Sequence, residues 1–129
     1  MRVYVVFEGT LGIPKADQTK KRRWGRRPSA AEMLDQFDID DQVAMNLWDI
    51  GNRVGVRFDC VTFMGTPMVD ALKEMLDGTN LPISNVWGFD SPYDLASRLA
   101  FMPWVSHVVD HQNPMAYGSK ASTLAGVRR

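Results

Sequence analysis

Two periods of apolar and polar residues run along this chain, and the switches between them mark out its elements. Val3-Tyr4-Val5-Val6-Phe7 is an unbroken apolar run rich in β-branched residues, the pattern of a strand buried on both faces. Glu8-Gly9-Thr10-Leu11 follow at once, where such a strand leaves its sheet. Val43, Leu47, Ile50 and Val54 then recur at helical spacing, with Trp48 widening the face and Gly51 as a stop. Val56 to Phe63 reads as a second strand. Gly65-Thr66-Pro67 turns it into a helix, with Thr66 as cap, Pro67 in the first turn, and Val69, Leu72, Met75 and Leu76 as the buried stripe. A third strand covers Ile83 to Gly88. Ser91 and Pro92 open a helix carrying Leu95, Leu99 and Met102, which Pro103 stops. Trp104 to Val109 is the last strand and ends in Asp110-His111.

Three stretches lack a clear period. Residues 12–28 hold two prolines, two glycines and seven cations, which predicts one long exposed loop. Ser29-Ala30-Ala31-Glu32 has the form of a capping box, which predicts a short helix to about Phe37 and a second helix start over Asp38 to Asp41. The tail from Gln112 has no periodicity, and Tyr117 to Leu124 fits a short edge strand or a short helix. Strands alternating with helices demand parallel pairing through crossovers. The expected fold is a single α/β domain over residues 1–129, with the basic loop inserted at 12–28. It is a three-layer α/β/α sandwich around a mostly parallel sheet of four or five strands, Rossmann-like in layout.

Charge changes this picture more than composition does. The formal net charge is zero, yet residues 15–28 carry a net +6, residues 29–110 a net −9, and the tail +3. The chain is a basic loop and tail on an acidic body. Lys20-Lys21-Arg22-Arg23-Trp24-Gly25-Arg26-Arg27 sets six cations and one indole within eight residues. Such a segment holds phosphates electrostatically and stacks on bases, so a nucleic acid or an acidic protein is the expected partner. Trp24, Trp48, Trp87 and Trp104 are ample indole for so small a domain and suit a self-association surface. No run approaches the ~18 apolar residues of a membrane span. The single cysteine, Cys60, lies in an apolar run and excludes an internal disulfide, which fits a reducing, cytoplasmic setting.

Parallel strands share one carboxyl edge, and ligands of open α/β sheets bind there. Four strand ends bring Glu8-Gly9-Thr10, Thr62 with Gly65-Thr66, Asp90-Ser91, and Asp110-His111 to that rim. Gly9, Thr10, Thr62, Gly65 and Thr66 are candidates for holding an anion through hydroxyls, backbone N–H groups and a helix start. Glu8 and Asp110 have no capping duty in the pattern, so with His111 they are the candidate catalytic groups, and as a pair the candidate ligands of a hard cation. His107 lies mid-strand and reads as a core histidine. Ser106 has no nucleophile-elbow context, no Cys/His cluster has zinc spacing, and the glycines make no dinucleotide loop.

These residues resemble a family. A buried strand running into Glu8-Gly9-Thr10-Leu11 is similar to motif I of the haloacid dehalogenase (HAD)-like superfamily, Asp-x-Asp-Gly-Thr-Leu. Cys60-Val61-Thr62 resembles motif II, whose hydroxyl holds phosphate, and the strand ending at Asp110 resembles motif IV, whose acid binds Mg²⁺. The resemblance implies a phosphate-handling α/β scaffold with a Mg²⁺ site. The departures lie in the chemistry. The family's nucleophilic aspartate falls on Val6, and its second aspartate on Glu8. No lysine stands between Lys73 and Lys120, and Arg98 sits inside a helix. Valine forms no phosphoryl intermediate. The expectation is therefore a catalytically degenerate HAD-like domain that works by binding through the basic loop and the rim. The rival expectations are a metal-dependent hydrolase of altered chemistry built on Glu8 and Asp110, and a nucleic-acid-binding protein.

Overall fold

A computed structural model describes residues 2–15, 32, 34–53 and 56–127 of the chain. The apolar opening run forms β1 (Arg2–Val6). It lies at the centre of a five-stranded sheet, flanked by β4 (Arg57–Thr62) and β6 (Val105–Val109). The order is β5-β4-β1-β6-β7, with β5 at Ile83–Gly88 and β7 at Ala121–Ser122, and every ladder in it is parallel. The chain builds outward from β1 through β4 to β5, then returns to the other side of β1 for β6. The strand order therefore reverses between β1 and β6, the place where open α/β sheets form a crevice.

Alternation along β1 sends its side chains into two cores. Val3, Val5 and Phe7 join Leu47 and Ile50 of α1 (Asp41–Gly51) and Leu72 and Leu76 of α2 (Thr66–Asp77). Tyr4 and Val6 join Leu95 and Leu99 of α3 (Pro92–Leu99), together with Tyr117. An apolar cluster on each face explains why β1 shows no polar alternation. Cys60 is fully buried in the first cluster, and burial pushes its thiol far above the usual range. It is an inert core residue.

The helix starts follow local chemistry. Asp40 caps α1, its carboxylate accepting from the Val43 N–H at 3.1 Å. Ser91 caps α3 by accepting from the Asp94 N–H at 3.1 Å. Thr66, expected to cap α2, does not. The cap position is Gly65, whose φ of 88° is one that glycine adopts freely, and Thr66 is the first helical residue, without a capping bond. Lys120 donates to the Leu99 and Met102 carbonyls, both at 3.1 Å, at the end of α3.

Residues 12–28 do not form one loop. Gly12–Pro14 is a strand, β2, paired antiparallel with β3 (Phe37–Ile39), so the expected helix to Phe37 is also corrected. A three-residue strand holding Gly and Pro shows no period of its own. What fixes it is tertiary. The Phe37 ring packs at 5.2 Å on Phe7, and a Cβ on Gly12 would sit 2.4 Å from the Phe7 ring. The tail holds a 3₁₀ helix (Pro114–Lys120), then β7, then the short α4 (Leu124–Val127). Strand and helix both occur where the pattern left either open. The capping box at Ser29 and the whole of Lys20 to Arg27 lie outside the described residues. Trp48, Trp87 and Trp104 are exposed, on α1, on β5 and just before β6. No helix among the described residues is long and apolar enough to cross a membrane.

One ion pair is buried beneath the sheet's amino edge. Asp59 is fully buried; its oxygens accept from Arg2 Nη1 at 2.8 and 2.7 Å and from the Trp87 indole N–H at 2.8 Å. The Arg2 side chain keeps 28% exposure. Removing one partner of a buried pair leaves an uncompensated charge. Arg2→Met keeps the stem and removes the cation. We expect it to lower unfolding free energy in urea by about 2–4 kcal/mol, toward the lower side for buried pairs because the guanidinium is partly hydrated. A loss below about 0.5 kcal/mol would show that the Trp87 bond suffices for Asp59.

Candidate functional site

The rim at the sheet's carboxyl edge begins with the exit of β1. Phe7 to Gly12 wind into a tight turn, in which the Leu11 N–H bonds the Val6 carbonyl at 3.2 Å and the Gly12 N–H bonds the Phe7 carbonyl at 2.7 Å. Gly9 holds a φ of 82°, and a Cβ there would lie 2.3 Å from the Gln112 side chain. The position needs glycine on both counts. Thr10 is fully buried, and its hydroxyl accepts from the His111 N–H at 2.9 Å. That bond ties the β1 exit to the β6 exit across the point where strand order reverses.

Val6 ends β1 at 1% exposure, packed in the cluster of Val61, Leu95, Val105 and Val108. The position that the resemblance reserves for a nucleophile is filled with hydrocarbon in a dry core.

Glu8 turns toward β4. Its carboxylate accepts from Thr62 Oγ1 at 2.9 and 3.0 Å and from the Phe63 N–H at 2.5 Å. Thr62 is fully buried, and its oxygen accepts in turn from the Met64 N–H at 3.2 Å. Burial lifts the Glu8 carboxyl above its ordinary value of 4.5; the bonds from Phe63 and Thr62 offset part of this, and the Asp110 charge adds slightly to the rise. Gly65 and Thr66 follow in the same loop and are exposed at the start of α2.

Asp110 is buried and faces elsewhere. One oxygen accepts from the Gln112 and Asn113 N–H groups at 3.0 and 3.1 Å, and the other from the Tyr117 hydroxyl at 2.6 Å. Asp110 thus caps the turn into the 3₁₀ helix, a duty the sequence pattern did not reveal. Burial and the Asp110 charge push the Tyr117 phenol well above its usual range. His111 is exposed and offers the rim only its backbone N–H, so the expected Asp110–His111 pair is not formed. Asp90 and Ser91 serve the start of α3, with the Asp90 N–H on Asp94 Oδ2 at 3.1 Å.

The carboxylates of Glu8 and Asp110 are therefore committed to separate partners, and Val6 supplies no oxygen. Among the described residues no group of three or more His, Cys, Asp or Glu is placed to hold a metal ion. The residues present do not fit the Mg²⁺ that the resemblance implies. Two contributors escaped the sequence reading. The Phe63 N–H is a backbone donor and leaves no trace in side-chain chemistry. Tyr117 lies seven residues beyond Asp110; the Asn113-Pro114 step after Asp110 was the available sign of a turn there. No protein-family model, curated protein or solved structure matches the chain.

The raised Glu8 carboxyl has a definite sign in stability. The folded state binds this proton more tightly than the unfolded chain does. Its contribution to stability is greatest below the ordinary value of 4.5 and declines as pH rises through the higher folded value. Glu8→Gln removes that titration. The stability of wild type minus Glu8→Gln, measured by urea unfolding across pH, should fall as pH rises from about 4 toward neutrality. A difference that rises with pH would mean that the bonds from Thr62 and Phe63 outweigh burial.

Proposed function

We propose that this is a HAD-like α/β domain that has given up phosphoryl chemistry and works by binding a negatively charged partner. The observation that carries this reading is Val6, 1% exposed at the end of the central strand. Covalent phosphoryl transfer needs a nucleophile at that strand end, and hydrocarbon is none. Installing a carboxylate there would bury a charge among Val61, Leu95 and Val108 without a partner. The other rim acids support the same reading, since Glu8 and Asp110 each hold the fold together. Lys120, the first lysine after Lys73, serves the end of α3 and cannot also serve the rim.

The contact surface on this reading combines the rim with the segment Lys20, Lys21, Arg22, Arg23, Trp24, Arg26 and Arg27. That segment departs from the hairpin strands β2 and β3, which extend from the β1 exit. Its six cations suit an acidic protein surface or a nucleic acid, and its indole favours a partner with stackable bases.

Purified protein with Mg²⁺ and a generic phosphomonoester should release phosphate no faster than buffer. Robust turnover that Glu8→Ala or Asp110→Ala abolishes would overturn the reading. Fluorescence anisotropy with a single-stranded oligonucleotide and with an acidic peptide separates the two partner classes. Replacing the six cations by alanine should weaken the productive one about tenfold or more, with a steep salt dependence for wild type only.

A further inference from the structure

The Glu8 carboxylate sits as a ligand sits. Its partners belong to a different strand and the loop beyond it, 54 and 55 residues away in the chain. They are two donors converging on one small anion, a fully buried hydroxyl and a backbone N–H. Both are fixed independently of Glu8. The Thr62 carbonyl accepts from the Phe89 N–H at 3.0 Å, which clamps its residue to the end of β5. The Met64 N–H bonds the Thr62 oxygen at 3.2 Å, which turns the hydroxyl proton toward Glu8. No acid stands in the first turn of α2, and its Gly65 cap brings no side chain to the free N–H groups. The positive end of that helix therefore has no local counter-charge of its own.

We propose that Thr62 Oγ1 and the Phe63 N–H form an oxyanion cradle whose resident occupant is the chain's own Glu8 carboxylate, and that vacating it opens a site for a small free oxyanion, phosphate or carboxylate. Without Glu8 the Phe63 N–H loses its acceptor and the Thr62 hydroxyl loses its own. Unmet donors cost more than made bonds return, so the cradle gains by recruiting an oxyanion from solution. Asp110 is the remaining negative charge that acts on this spot, and it biases the cradle toward the less highly charged ion. The rim is the surface assigned above to partner binding, and the inference rests on that reading only for this shared location. Its test reads ligand binding rather than turnover, so the two can fail separately.

The probes are sodium acetate and inorganic phosphate at constant ionic strength, with chloride as the control. Glu8→Ala should gain thermal stability saturably with acetate or phosphate and not with chloride. Its apparent affinity for the better ion should be at least about tenfold tighter than that of wild type. The Phe63 amide resonance should move along the same saturation curve. Acetate as the better ion identifies a carboxylate-bearing ligand, and phosphate as the better ion a phosphate ester. Adding Thr62→Val should abolish the response, while Thr62→Ser, which keeps the hydroxyl, should retain it. A folded Glu8→Ala that ignores both ions, or a wild type that responds equally, overturns the proposal. Should Glu8→Ala not fold, wild type decides alone: its Phe63 amide resonance must follow the titration of Glu8, and an amide indifferent to that titration removes the cradle.

Discussion

Everything in this domain depends on the central strand being bonded on both edges and buried on both faces. β1 has β4 on one side and β6 on the other, and its side chains feed two separate apolar clusters. Such a strand has no room for charge along its length, so charge must stand at its two ends. Arg2 stands at one end and Glu8 at the other, and both reach across to β4, Arg2 to Asp59 and Glu8 to Thr62 and Phe63. The same pair of strands is therefore held three times over: by its backbone ladder, by a buried ion pair below, and by a seated carboxylate above. Fixed polar ends also pin the register, because a one-residue slip would turn every side chain of β1 to the wrong face.

The parts of the fold that the sequence made legible are those governed by local rules. An unbroken β-branched run, helical spacing with Asp40 or Ser91 at the cap, and Ile83 to Gly88 between turn residues each carry their own signal. The parts it hid are fixed by distant partners. β2 exists because β3 pairs with it and because Phe7 and Phe37 pack beside it; nothing within Gly12-Ile13-Pro14 announces a strand. Gly65 displaced Thr66 as cap because its backbone angle, and not a hydroxyl, sets that corner. The site divides the same way. That Glu8, Thr62 and Asp110 share one edge follows from parallel topology and could be read in advance. Which way each carboxylate turns could not, since the choice between a metal, a phosphate and a neighbouring N–H depends on donors from other strands.

Catalytic rims in sheets of this kind gather like charges and unsatisfied groups at strand ends, and that arrangement costs stability. This rim has the opposite economy. Val6 withdraws one charge into hydrocarbon, Asp110 spends its oxygens on a turn and on Tyr117, and Glu8 satisfies Thr62 and Phe63. Among the described residues no buried side-chain polar atom lacks a hydrogen-bond partner. A rim so fully satisfied within itself needs no ion to complete it, and it presents its residual negative charge in fixed, inward-facing positions. The cations that dominate the remaining charge are concentrated in the segment from Lys20 to Arg27. Chemistry at the strand ends and cohesion of the strand ends are competing uses of the same few side chains, and in this chain the geometry has resolved the competition in favour of cohesion.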